Sequence, residues 1–252
     1  QNNFPVKGVN NYLNQENCSQ EAQDFAMEAI DLMFENPELD FDFILKNRTE
    51  IDDNQVETDN YEEGSYDDTT YQNFDYQQDW PQISPVIPQE DFVGWGTSGI
   101  RRNCMDYAKA QIAKSGYQIS SYYSTGQTFQ IFTSQNGVNS TELSDGLSYL
   151  HYALSNNIPV IVGVNDAPDH PGNLDNTTDH FIVIVGMGTN MNGNYFQFYD
   201  NASGFTTQGT SHLNLLYYNS STDLISGNSQ TDYAQNQPWP YTITMIRKSK
   251  SL

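Results

Sequence analysis

Two short, unbroken apolar runs stand out along the chain, Pro159 to Val164 (PVIVGV) and Phe181 to Gly186 (FIVIVG). Branched apolar runs of this length, bounded by polar loops, have the pattern of central strands covered on both faces. Downstream, residues 195–199 (YFQFY) alternate in side-chain character, and 241–247 (YTITMIR) close the chain as a further strand. Upstream, 117–123 (YQISSYY) and 128–133 (TFQIFT) are additional strand candidates.

Helical spacing recurs in three places. A helix is predicted from an Asn103 N-cap to about Ser115, with Asp106 in a capping-box-like position and Gly116 suited to C′. Cys104, Tyr107, Ala108, Gln111 and Ile112 share one face of it. Residues 142–156 form a second helix with Leu147, Leu150 and Leu154 inward. Residues 19–34 (SQEAQDFAMEAIDLMF) are predicted to be an amphipathic helix with Ser19 as N-cap, and Pro37 makes its continuation unfavourable. The main portion thus reads helix first, then mostly strands. The expected class is α+β: a cysteine-bearing helix packed on a twisted antiparallel sheet, with an N-terminal acidic helical appendage.

Charge divides the chain in the same way. Residues 1–93 carry 22 acidic against 3 basic side chains, a net of −19, whereas 94–252 carry 10 against 7, a net of −3. Three parts follow: a small acidic helical segment over 1–50, an acidic Tyr-rich linker or covering, pro-like segment over 51–93, and a catalytic domain over 94–252. Residues 52–80 alone bury too little apolar area to offset their ordering entropy. Three prolines in 81–93 suit an extended boundary. A total charge of −22 argues against nucleic acid as partner, because phosphates require a basic patch. No run approaches the roughly 18 apolar residues of a membrane span. The chain opens at Gln1, and its Lys-poor, Asn/Ser/Thr/Tyr-rich composition suggests a secreted or cell-surface protein with its signal segment removed.

The candidate chemistry begins at Cys104. A thiol in the first turn of a helix meets unpaired amides and the positive end of the dipole, which favour thiolate. Arg101 and Arg102 add to that field. Of the four histidines, His180 stands immediately before the FIVIVG strand, so a rigid element anchors it at a strand mouth. His151 fits an ordinary, partly buried helix position, and His170 and His212 lie in loops. If 181–186 and 195–199 pair as an antiparallel hairpin, His180 falls beside Asp200, an orienting acceptor for its ring. Asp179 points to the opposite face, and Asn201 is the fallback orienter. Trp95, in the turn from Gly94 to Gly99, is placed as a wall of the substrate cleft.

The order of cysteine on a helix, histidine on a strand and acid on the next strand resembles the papain-like cysteine hydrolases. The run from DGLSYLHYALSNNIPVIVGV through TTDHFIVIVG to YFQFYDN resembles the bacteriocin-leader (double-glycine) peptidases, over about residues 94–247. The cysteine region, RRNCMDYAKAQIAKSGY, also resembles that of bacterial protein-glutaminases. The resemblance implies a papain-like fold with Cys104 as nucleophile, His180 as general base and then acid, and Asp200 as orienter. It also implies a side-chain oxyanion donor, usually Gln, shortly before the cysteine. No Gln lies between 90 and 103, so Ser98, Thr97 or Asn103 stands in as the auxiliary group, or Gln89 folds back from fifteen positions upstream.

The expectation is a thiol-dependent amide hydrolase acting on a peptide, protein or peptidoglycan substrate. It needs no cofactor and no catalytic metal. Alternatives within the fold are a protein-glutaminase-type enzyme or a cell-wall amidase. Outside it, a non-catalytic surface-binding protein with a Cys18–Cys104 disulfide is the competing reading. The Asp-rich loop 166–180 and the tract 52–68 are candidates for a structural cation.

Overall fold

In a computed structural model, the described residues are Tyr76, 80–100, 103–120, 126–166, 177–231 and 240–252, all within the unit Asp67–Leu252. The helix expected at 19–34, Cys18, the tract 52–68, Arg101, Arg102 and His170 lie outside them.

The two apolar runs become neighbouring strands at the centre of the largest sheet, β5 (Val160–Asn165) and β6 (His180–Asn190). Side chains alternate across a strand, so each run must find cover on both sides. Val160, Val162, Val164, Ile182 and Ile184 point into one core with Phe196, Phe198, Leu216, Ile225 and Ile243. Ile161, Val183 and Val185 point the other way, onto α1 (Cys104–Ala113), where they meet Ala108 and Ile112. Burying each such side chain is worth roughly 1.5–3 kcal/mol, which explains why this helix and these strands dominate the architecture.

β6 pairs with β7 (Gly193–Tyr199), β7 with β8 (Leu215–Asn219), and β8 with β9 (Leu224–Asn228). β10 (Tyr241–Arg247) closes the ring, pairing with β5 along one edge and through Tyr241 and Thr242 with β9 on the other. The result is a six-stranded antiparallel barrel, β5-β6-β7-β8-β9-β10. The far half of β10 also carries β2 (Thr128–Gln130). Two small ladders complete the strands: β1 (Tyr117–Ile119) with β11 (Ser249–Ser251), and β3 (Phe132–Thr133) with β4 (Gly137–Val138). α2 (Ser140–Ser155) packs Leu143, Leu147, Leu150 and Leu154 against the main core, and α3 (Thr206–Gly209) is a single turn. The class is therefore α+β, as the pattern predicts.

The stretch before Gly94 belongs to this domain. Ile83 exchanges backbone hydrogen bonds with Met187, and the Val86 amide donates to the Val185 carbonyl, along β6 beyond the end of β5. That edge would otherwise expose unpaired backbone groups. Ile87 is fully buried, and Trp80 packs on Phe196 and stacks on Tyr218. The three prolines suit such a strap: it runs extended, with few amides to satisfy. The packed domain thus starts upstream of the boundary expected at residue 94.

α1 starts as its local sequence dictates. The Asn103 Oδ1 accepts from the Asp106 amide at 2.8 Å, and the Asn103 Nδ2 donates to the Asp106 carboxylate at 2.7 Å. Gly116, at φ +83°, ends the helical turn where a side chain would be strained. The predicted face is the observed one, since Tyr107, Ala108, Gln111 and Ile112 are buried. Gln111 is polar there because it holds backbone: its Nε2 donates to the Asp91 carbonyl and its Oε1 accepts from the Val93 amide.

Candidate active site

The alternation that packs the barrel also sets its chemistry. His180 lies on the face of β6 that carries Ile182 and Ile184, and Asp200 follows Phe198 on the matching face beyond β7. Both therefore open onto one mouth of the barrel. His180 Nε2 lies 2.9 Å from Asp200 Oδ1, with the histidine side chain 7% exposed and the carboxylate fully buried. Cys104, half-buried at the start of α1, is a free thiol close enough to His180 for the imidazole to favour its ionisation. With Nε2 engaged by Asp200, Nδ1 is the ring nitrogen left for the sulfur. The structure brings Cys104, His180 and Asp200 together. The Cys18–Cys104 bridge of the alternative reading involves Cys18, which lies outside the described residues.

Asp200 is caged. Besides the imidazole, Oδ1 accepts from the Ala202 amide at 2.9 Å, and Oδ2 accepts from the hydroxyls of Thr231 and Tyr241, each at 3.1 Å. The Tyr241 ring lies 5.8 Å from that of His180. Sequence reasoning misses both Thr231 and Tyr241. The only signal for Tyr241 is its place on the same face as Ile243 in the alternating YTITMIR strand. For Thr231, in a polar loop, there is none.

The electrostatics follow from burial competing with partners. For Cys104, burial is the largest influence and opposes ionisation. The hydrogen bond and charge of His180, with the backbone of Phe181 and Met105, more than offset it, so the thiol lies below its ordinary 9.0. For His180, burial disfavours the cation, but the charge and hydrogen bond of Asp200, then Cys104, outweigh it and push the ring up to about 10. Burial would raise Asp200, yet the His180 charge and hydrogen bond, with Ser229 and the Ala202 backbone, hold it below its ordinary value. These directions favour a thiolate–imidazolium pair backed by a carboxylate.

A test of this pairing needs only two pH profiles. Iodoacetamide labelling of Cys104 is expected to have its midpoint below 9.0 and to stay high in alkali, because it needs thiolate alone. An NMR titration of the His180 ring should show it keeping its proton to near pH 10. A labelling midpoint at or above 9.0 would contradict the pair.

The remaining candidates fall around this centre. Trp95 is 45% exposed; its amide donates to the Ser203 carbonyl, and its ring lies 5.5 Å from that of Tyr107 on α1. Gly94 beside it must be glycine, since a Cβ would overlap the Ser203 carbonyl and the Phe92 ring. The loop 200–205 is thereby clamped to the turn before α1. Ser98 is exposed in that turn. Asn103 has both side-chain atoms engaged by Asp106. Gln89 does not fold back to the thiol: its Nε2 donates to the Thr210 carbonyl at 3.4 Å. Asn201 is not the orienter of the ring. Its Nδ2 donates to the carbonyls of Cys104 and Phe181, at 3.0 and 2.9 Å. Asp179 does point away, its carboxylate accepting from the Asp166 amide at 3.0 Å. His151 is half-buried on α2, and His212 is exposed.

Among the described residues no group of three or more His, Cys, Asp or Glu side chains is placed to hold a metal ion, and no helix is long and apolar enough to cross a membrane. Residues 167–176 of the Asp-rich loop lie outside the described set. No protein-family model matches the chain, and neither does any curated protein or any solved structure.

Proposed function

We propose that this protein is a thiol-dependent amide hydrolase with a papain-like arrangement of Cys104, His180 and Asp200. One observation carries the reading: a free thiol in the first turn of a helix, its ionisation favoured by a buried imidazole that meets a caged carboxylate at 2.9 Å. A surface-binding protein has no need of this assembly, and burying a charge-paired trio is costly without a use for it.

The mechanism is acyl transfer. The Cys104 thiolate attacks the amide carbonyl, and the oxyanion forms near the free amides at the start of α1. His180 donates its proton to the departing amine, the C–N bond breaks, and a thioester remains. His180, now neutral, takes a proton from water; the hydroxide adds to the thioester, and the acid is released as thiolate reforms. Asp200 holds the ring orientation throughout and offsets its charge. The exposed Trp95, fixed through Ser203, offers an apolar wall to the acyl side of a peptide. The polar, Lys-poor composition supports an exported setting for such an enzyme.

The substrate class separates by product. The protein is incubated with casein, a glutamine-containing peptide and a peptidoglycan preparation, while new α-amino groups and ammonia are measured. New amino groups from casein mark a peptidase, ammonia alone marks a protein-glutaminase, and amino groups from peptidoglycan mark a cell-wall amidase. In each case stoichiometric alkylation of Cys104 is expected to stop the reaction. Hydrolysis that survives complete alkylation, or no product from any of the three, would overturn the proposal.

A further inference from the structure

Asn201 sits one residue after the carboxylate that orients the imidazole, yet its side-chain nitrogen is directed to backbone carbonyls. It is 3% exposed, and its Nδ2 divides its two hydrogens between the carbonyl of Cys104 and the carbonyl of Phe181. Those carbonyls belong to the residue that carries the thiol and the residue next to the histidine. The Phe181 backbone also favours ionisation of the sulfur. One planar carboxamide therefore joins the first turn of α1 to the first peptide of β6.

The cost of this link is visible. Among the described residues the Asn201 Oδ1 is buried with no hydrogen-bond partner. A buried acceptor left in this state costs roughly 1–3 kcal/mol, so an apolar side chain of the same shape would pack there more cheaply. The amide is oriented by its nitrogen at the expense of its oxygen. Its neighbours support that orientation: Asp200 is held through the Gly209 carbonyl and the Ala202 amide, and Ser203 is held by Trp95.

We propose that Asn201 is a positioning residue whose Nδ2 sets the separation of the Cys104 sulfur from the His180 ring by tying their two backbones together. This rests on Cys104 and His180 being the reacting pair. Hydrophobic packing of Ala108 and Ile112 on Val183 and Val185 holds α1 against β6 further along. At the helix start Met105 and Phe181 are only partly buried against that cluster, so a polar tie there adds a directional restraint to the packing.

Two variants test it. Asn201→Asp keeps the shape and sets a carboxylate oxygen against two carbonyls. Asn201→Leu removes the tie together with the orphaned oxygen. In both, the midpoint of Cys104 alkylation is expected to rise by about one pH unit, a tenfold loss of thiolate on the acid side. Turnover should fall about tenfold or more, with KM within about twofold, because the reacting pair and not the substrate wall is disturbed. The Leu variant should melt no lower than wild type, which separates positioning from fold maintenance. Either folded variant with alkylation midpoint and kcat within about twofold of wild type would sink the proposal. A shifted midpoint in a protein whose wild type hydrolyses no amide would leave the tie intact and remove the enzymatic reading instead.

Discussion

Cys104→Ala is expected to hydrolyse amides roughly 10^5- to 10^6-fold more slowly than wild type, the scale on which a covalent nucleophile is missed. No other group described in the mouth of the barrel can replace it: the hydroxyl of Ser98 is out in an exposed turn, and Asn103 is occupied with its cap. The variant should also lose all iodoacetamide labelling at that position while keeping its fold, because α1 is held by Ala108 and Ile112 rather than by the thiol. Its imidazole should titrate below that of wild type, since Cys104 is one of the groups raising His180. Product assays, mass spectrometry after labelling and a histidine titration by NMR check the three parts. Turnover within about tenfold of wild type would end the nucleophile assignment.

Asp200→Ala is expected to damage both activity and stability. Removing one partner of a buried ionic pair leaves the other charged and unpaired, a loss of roughly 3–5 kcal/mol. Activity should fall about 10^4-fold, the cost typical of losing the orienting carboxylate. The stability loss has a defined pH window. His180 is raised in the folded protein above its ordinary 6.5 to about 10, so its contribution is complete below pH 6.5 and is lost as pH rises through 10. Asp200 is lowered, so its contribution is present above its ordinary 3.8 and fades as pH falls through the folded value. The gap in melting temperature between wild type and variant should be widest between about pH 4 and 6.5 and narrow towards alkali. A gap that widened from pH 7 to 10 would show that the pair does not stabilise as argued.

The legible parts of this protein are those in which one local rule decides. The capping box at Asn103 and Asp106 marks the helix start, and the side chains behave as the pattern requires. The PVIVGV and FIVIVG runs mark strands covered on both faces. The His180–Asp200 contact follows from hairpin geometry, because a chain that turns back must set the start of one strand beside the end of the next. β8, β9 and α3 leave no such mark. They lie between 201 and 231, where Ser, Thr, Asn and Gly mask short strands whose pairing depends on distant partners. The barrel's closure is equally silent in the pattern, since β9 and β10 meet over only two residue pairs. Gln89 and Asn201 show the same limit at the scale of single residues. Their types suggest an oxyanion donor and a ring orienter, but backbone geometry turns each towards carbonyls instead.

Tyr241 belongs to two structures at once. Its backbone stitches the barrel shut against Gly227, and its phenol donates to the carboxylate behind the imidazole. It also follows Cys104, His180 and Asp200 in chain order. A polypeptide emerging in order from the ribosome therefore exposes its thiol and its histidine well before the strand that completes the assembly arrives. The cage around the Asp200 carboxylate is thus complete only once the last strand of the barrel is in place.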